Sequence, residues 1–223
     1  MNKILVVEDE NILREVIVDY LIDDGYQVLE AADGEKALEL FQSDSIDLVI
    51  LDIGLPKIDG WSVCRRIRKN SNIPIIILTA RSDEDDSILG YELGADDYLI
   101  KPYNPRVLMA KVKRFLEKYS GMVDEMLIAG GIEINIRSRI VSVDGTTINL
   151  THTEFEMLVY LIKNKGIVIT REQLISKIWG YDFYGDEKTV NSHIRNLRAK
   201  LDNKGNCIVT VIRSGYKFEE EQL

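Results

Sequence analysis

Five short apolar runs recur through the first half of the chain, spaced so that a helix fits between each pair: KILVV (3–7), YQVLE (26–30), DLVIL (47–51), PIIILT (74–79) and DYLI (97–100). Runs that stay apolar at nearly every position predict strands covered on both faces, which is the condition of a parallel sheet. The segments between them carry helical spacing, as in Leu13, Val16, Ile17, Tyr20 and Leu21. Strand and helix in alternation predict an α/β fold, a doubly wound five-stranded parallel sheet. Its last helix runs from about Pro105 to Tyr119, where Ser120 and Gly121 break the pattern and open a linker over 120–126.

In an open parallel sheet, functional groups collect at the carboxyl ends of the strands. Strand one ends in Glu8 and Asp9, strand three in Asp52, strand four in Thr79 and strand five in Lys101, whereas strand two ends in Glu30, Ala31 and Ala32 and adds nothing to the set. Three carboxylates at one rim repel one another and favour a hard divalent cation; with so few protein ligands Mg²⁺ is the natural candidate, water completing its shell. A cation beside carboxylates, with an ammonium and a hydroxyl aimed at the same point, suits a phosphoryl group, and one carboxylate can accept that group as nucleophile. Asp52, on the central strand and flanked by the others, is the expected acceptor. A carboxylate closing a buried strand is otherwise costly to desolvate. Each of these residues alone reads more simply as a loop cap or a solvated charge; their joint placement at one end of the correct strands carries the inference.

The formal charge of −9 argues against a nucleic-acid partner only if it is spread evenly, and it is not. Residues 1–120 hold 15 Lys and Arg against 23 Asp and Glu, residues 121–223 hold 13 against 14, and the stretch from Lys188 to Lys217 holds seven bases and the single acid Asp202. In this half the grammar changes to short strands and turns (MLIAG, GIEINI, RIVSV with an Asp144–Gly145 turn, TTINLT), then three helical segments opened by Thr151, Thr170 and Asp186 or Glu187, then NCIVTVIRSGYKF, which alternates like a hairpin. Three helices followed by a hairpin is the order of a winged helix-turn-helix, an α+β domain expected over 127–223. In its third helix Val190, Ile194, Leu197 and Leu201 form one apolar stripe, and turning by about 100° per residue puts Lys188, Ser192, Arg195, Asn196 and Ala199 opposite, a face suited to a major groove. Asn191 lies beside that face, His193 and Arg198 flank it toward phosphates, and Arg213, Ser214 and Lys217 follow in the hairpin, completing the expected DNA-binding set.

No apolar run approaches the roughly 20 residues needed to span a bilayer, and MNKILVVEDE turns acidic where a secretory signal would stay apolar, so the expected location is cytoplasmic, without a membrane partner. Cys64 and Cys207 lie far apart and outside any CxxC spacing, which predicts neither disulfide nor zinc.

VVEDE, LVILDIGLPKIDG, IIILTAR and GADDYLIKPY resemble the receiver domain of two-component response regulators, with its flavodoxin-like fold, across residues 1–119. LTHTEFEMLVYLIKNKG, TREQLISKIWG, KTVNSHIRNLRAKL and GYKF resemble the effector domain of the OmpR/PhoB subfamily. The resemblance implies that Asp52 accepts a phosphoryl group from a sensor histidine kinase. It implies that Asp9, Asp52 and the Gly54 carbonyl bind Mg²⁺ with Glu8 acting mainly through water, that Thr79 and Lys101 hold the phosphoryl group, and that Tyr98 is the switch aromatic. It also implies a homodimer on phosphorylation that binds promoter DNA and regulates transcription, with RNA polymerase contacts made near 180–186.

The sequence departs from the family at several places. Lys188 and Asn196 stand where arginines are common, and Ile212 and Arg213 where Arg-Gly is common in the wing. The ion pair that usually crosses the dimer is replaced by Ser87 and Val107, leaving Asp96 and Asp97 to meet Lys111 and Arg114 around a more apolar centre. Two other functions compete. A phosphohydrolase using Asp52 would want a second acid two residues on, where this chain has Gly54. A receiver that dimerises without phosphorylation would not need the complete set of acids, Thr79 and Lys101. Without a Gly-rich nucleotide loop, an ATPase or dehydrogenase is disfavoured.

Overall fold

The apolar runs form strands β1 (Lys3–Val7), β2 (Gln27–Ala31), β3 (Leu48–Asp52), β4 (Ile75–Thr79) and β5 (Asp97–Ile100), joined in the order β2-β1-β3-β4-β5 with every pair parallel. The computed structural model describes residues 1–80, 93–116, 126–180 and 187–220, and the chain divides into two compact units, 1–118 and 119–223. Ser87, residues 181–186, where the polymerase contact is expected, and residues 117–125, which hold most of the expected linker and the expected end of the last receiver helix, lie outside the described residues.

Alternate residues of each central strand enter opposite cores. Ile4, Val6, Leu48, Ile50, Ile76 and Leu78 pack with Ile17 and Leu21 of α1 (Asn11–Asp23) and with Leu108 and Val112 of α4 (Pro105–Leu116). Leu5, Val7, Val49, Leu51, Ile75 and Ile77 pack with Ala37 of α2 (Gly34–Ser43) and with Val63, Cys64 and Ile67 of α3 (Gly60–Arg68). Each such side chain contributes about 1.5–3 kcal/mol by burial, which is why the runs are apolar at consecutive positions. Strand order reverses between β1 and β3, so a crevice opens at their carboxyl ends, where Glu8, Asp9 and Asp52 lie.

In the second unit β6 (Met126–Ala129), β7 (Ile132–Asn135), β8 (Ile140–Val143) and β9 (Thr146–Ile148) form an antiparallel sheet. Asp144 and Gly145 both take positive φ, 47° and 82°, as a two-residue hairpin turn of the I′ type requires. Helices α5 (His152–Lys163) and α6 (Arg171–Ile178) each begin with a complete capping box, Thr151 with Glu154 and Thr170 with Gln173. Helix α7 (Glu187–Leu201) leads through a 3₁₀ turn (Asp202–Cys207) to the hairpin β11 (Ile208–Val211) and β12 (Gly215–Phe218). The sequence reading stopped at two strands here. A third, β10 (Ile169–Thr170), pairs with β12 so closely that a Cβ on Gly215 would lie 2.0 Å from the Ile169 carbonyl oxygen. The three helices and this sheet make the α+β winged helix-turn-helix around Phe155, Leu158, Leu174, Trp179, Leu197 and Phe218.

Neither cysteine is in a disulfide, and both are buried. Burial pushes the Cys64 thiol up to about 11, so about 0.1% of it is thiolate at pH 8. Ellman's reagent is expected to leave Cys64 and Cys207 untouched over minutes in the folded protein and to titrate both in urea; fast reaction of either thiol under native conditions would contradict their packing.

Candidate phosphoacceptor site and DNA-contact surface

The loops after β1 and β3 place three carboxylates together. Glu8 and Asp52 are buried and Asp9 is exposed, and one oxygen from each lies within 4.8 Å of the others. Lys101 reaches in from the end of β5, with Nζ 2.7 and 3.0 Å from the two Glu8 oxygens and 3.1 Å from Asp52 Oδ2. Its own N–H donates to the Thr79 carbonyl at 2.7 Å, which ties the ends of β4 and β5 together. Asp52 Oδ1 accepts the Ile53 N–H at 2.7 Å, leaving Oδ2 toward Lys101 and Gly54. The loop folds back so tightly that a Cβ on Gly60 would lie 2.2 Å from the Asp52 carbonyl oxygen, which explains glycine there.

One ammonium faces three carboxylates, and burial together with the surplus negative charge shifts both partners. Burial raises the Glu8 carboxyl above its ordinary value, opposed by the Lys101 hydrogen bond and reinforced by the Asp52 charge. Burial pulls the Lys101 ammonium down, but Glu8 and Asp52 outweigh it and the net shift is upward. An all-oxygen donor set with uncompensated charge and an exposed member fits a hard cation such as Mg²⁺ that keeps part of its water. Gly54 lies exposed beside Asp52, Thr79 is 6% exposed at the end of β4, and Tyr98 is half-buried against the core shared by β4 and α3.

Sequence reasoning passed over Arg14. Its guanidinium donates to the Glu8 carbonyl at 2.6 Å and to Asn11 Oδ1 at 2.6 Å, which fixes the turn carrying Glu8 and Asp9. The acids at the start of β5 have partners within the chain. Asp96 binds Arg68 at 2.7 Å, and Asp97 binds Lys111 at 2.6 Å and Arg114 at 2.8 Å, all within the chain, and both acids are 0% exposed. Val107 packs partly against the core.

On α7 the apolar stripe is wider than its spacing suggested. Val190, Ile194, Leu197 and Leu201 are buried, but so are Ser192 at 6% and His193 at 1% exposure, the latter with its ring centroid 5.4 Å from that of Trp179. The helix packs against α5 and α6 and continues into the 3₁₀ turn, so a broad arc is covered. The exposed strip is therefore Lys188, Asn191, Arg195 and Ala199, with Asn196 half-buried. Ser192 and His193 are removed from the outward face expected of them. Arg198 is also reassigned: its guanidinium donates to the Ile208 carbonyl at 3.0 Å and to Thr210 Oγ1 at 2.8 Å, stapling the helix to β11. In the hairpin, Arg213 and Ser214 are exposed at the tip, Arg213 with φ 62°, while Lys217 is half-buried and paired with Glu219.

Arg171 was missed as well. It stands in the first turn of α6, where the helix dipole disfavours a cation, and that misfit was the available signal. Its guanidinium lies 5.0 Å over the Tyr216 ring and its Nε donates to Asn191 at 3.1 Å. Among the described residues no helix is long and apolar enough to cross a membrane.

Residues 4–113 match the family described as response regulator receiver domain, and residues 145–218 match the family described as transcriptional regulatory protein, C terminal. The chain is 40% identical over 226 residues to sensory transduction protein RegX3 of Mycobacterium tuberculosis (strain ATCC 25618 / H37Rv), covering 98% of this chain and 100% of that protein. It is equally similar, with the same coverage, to the uncharacterized transcriptional regulatory protein YclJ of Bacillus subtilis (strain 168). The crystal structure of the response regulator DrrB, a Thermotoga maritima OmpR/PhoB homologue, aligns with a TM-score of 0.53 at 33% identity, covering 98% of this chain and 99% of that one. A receiver's acidic crevice and a winged helix-turn-helix lie on one chain with relatives of matching length, so the chain belongs to the OmpR/PhoB-type response regulators, with a receiver domain and a DNA-binding transcriptional regulatory domain.

Proposed function

We propose that Asp52 is the phosphoacceptor, that a sensor histidine kinase is the donor, and that the phosphorylated chain dimerises and binds promoter DNA to regulate transcription. The observation that carries this reading is the placement of Asp52 Oδ2 beside both the Lys101 ammonium and two further carboxylates. An Asp52 oxygen attacks the phosphorus of a phosphohistidine; the P–N bond breaks, its electron pair stays on the imidazole, and an aspartyl phosphate forms. Glu8, Asp9, Asp52 and the Gly54 carbonyl would hold Mg²⁺, which when bound neutralises the phosphoryl oxygens and orients them.

Lys101 then exchanges its carboxylate partners for the phosphoryl oxygens. Thr79 hydrogen-bonds to the same group and draws the end of β4 inward, and Tyr98 follows into the space vacated. Because the two states differ in which anion Lys101 and Thr79 satisfy, the phosphoryl charge biases a two-state receiver. The active state is expected to pair two receivers through the β5 and α4 surface and to present two copies of α7 to tandem half-sites, gaining affinity from the link. RNA polymerase contact is assigned to the region 180–186 between the second and third helices.

The test is intact mass after incubation with acetyl phosphate and Mg²⁺, beside Asp52→Asn and a sample in EDTA, with sedimentation of each. One phosphoryl adduct on the wild type with Mg²⁺ alone, accompanied by dimers, is the expected result. Dimers and DNA binding without any adduct would move the phosphorylation-independent reading to the front, and an adduct that persists in Asp52→Asn would displace Asp52.

A further inference from the structure

Asn191 lies on the exposed strip of α7, one turn from its start, and groups from two other elements hold its side chain. Arg171 Nε, from α6, donates to Asn191 Oδ1 at 3.1 Å, and the Tyr216 hydroxyl, from β12, donates to the same oxygen at 2.7 Å. An amide oxygen offers two lone pairs and the amide nitrogen two N–H groups. Arginine has donors only, so the oxygen must be the atom that faces it, and both lone pairs are engaged. The holding groups are themselves fixed. Arg171 lies over the Tyr216 ring and pairs with Glu187 at 3.6 Å, Arg198 lies 5.7 Å from the same ring, and Tyr216 is 4% exposed. Among the described residues no acceptor engages Asn191 Nδ2.

We propose that Asn191 meets DNA as a hydrogen-bond donor only, taking an acceptor oxygen or nitrogen through Nδ2, and is not an adenine reader. An asparagine that reads adenine needs both ends of its amide, the oxygen for the N6 amino group and the nitrogen for N7. Asn191 has the second half alone. The acceptors that remain are guanine O6 and N7, thymine O4, adenine N7 taken alone, and a phosphate oxygen. The inference rests on the DNA-binding reading above and deepens it: the second-helix arginine and the wing tyrosine set the hydrogen-bonding sense of a residue on the third helix.

The experiment is site selection by the full chain, treated with acetyl phosphate and Mg²⁺, from a randomised duplex pool, with wild type, Asn191→Ala and Asn191→Asp in parallel. Asn191→Asp keeps an oxygen for Arg171 and Tyr216 and so keeps the fold, which thermal unfolding checks, while the donor becomes an anionic acceptor. Binding of Asn191→Asp to the site selected by wild type is expected to fall about ten-fold or more. If the acceptor is on a base, one guanine or thymine preference vanishes in Asn191→Ala and turns toward cytosine or adenine, whose amino groups donate, in Asn191→Asp. If it is phosphate, no base preference changes, both variants weaken, and one methylphosphonate substitution weakens the wild type alone. Loss of an adenine preference in Asn191→Ala, or an alanine variant that binds like wild type, overturns the proposal. Failure of the wild type itself to enrich any sequence overturns the DNA-binding reading and this inference with it, and is told apart because wild type and variants then fail alike.

Discussion

Replacing Lys101 with methionine is expected to lower the stability of the receiver unit in EDTA by about 2–4 kcal/mol, and Mg²⁺ is expected to restore more stability to the variant than it adds to the wild type. Methionine fills much of the same volume, so the loss is one of charge. The ammonium is 19% exposed and answers Glu8 at 0% and Asp52 at 8% side-chain exposure. Removing it leaves two buried carboxylates facing each other and Asp9. Breaking one side of a buried ion pair costs about 3–5 kcal/mol, and the partial exposure of Lys101 sets the lower figure. The second half of the prediction follows from competition. In the wild type a divalent cation must share Glu8 and Asp52 with the ammonium; in the variant it does not, so its affinity rises. Urea unfolding followed at Trp61, in a Trp179→Phe background and across an Mg²⁺ series, measures both effects. A variant as stable as wild type in EDTA would mean that Lys101 compensates nothing. Equal Mg²⁺ gains in the two proteins would mean that cation and ammonium do not contend for the same oxygens.

Two kinds of information are separated by what could be read from the sequence. The receiver strands were legible because both faces of a parallel sheet are buried, so β1, β3 and β4 advertise themselves as unbroken apolar runs. The clustering of Glu8, Asp9, Asp52 and Lys101 was legible because topology alone brings strand ends together. What a one-dimensional pattern does not carry is how many neighbours surround an element. The spacing of α7 located its apolar stripe, but the width of the buried arc depends on α5 and α6, and so Ser192 and His193 were turned the wrong way. Arg198 was read as a charge seeking phosphate because nothing local shows that the Ile208 carbonyl lies within reach. The pairing of Asp97 with Lys111 and Arg114 has the same origin: spacing says that the charges can meet and is silent on whether they meet within one chain. β10 escaped notice because two residues are too few to show a period.

Arg68→Ala is expected to cost the receiver unit about 3–5 kcal/mol while leaving the phosphoryl-accepting chemistry of its folded fraction intact. Arg68 closes the last turn of α3, where its charge also suits the helix dipole. Its guanidinium donates to the Gly94 carbonyl at 2.7 Å, to the Ile73 carbonyl at 2.7 Å and to Asp96 Oδ2 at 2.7 Å. The same Asp96 oxygen accepts the Ile75 N–H at 3.0 Å. One side chain thus ties together the segments that enter β4 and β5. Alanine there takes the counter-charge from a carboxylate that is 0% exposed, leaving it the Ile75 N–H, and removes a donor from two backbone carbonyls. Lysine does not rescue it, because a single ammonium cannot span the three directions that the planar fork serves. All of these contacts lie at the amino ends of β4 and β5, whereas Thr79 and Lys101 lie at or beyond the opposite ends. Unfolding by urea and the yield of phosphoryl adduct at low temperature are therefore expected to separate, with the first falling steeply and the second matching wild type. A variant that keeps its stability would show the guanidinium network to be dispensable. One that folds but takes up no phosphoryl group would show that the two ends of the strands are coupled through the sheet.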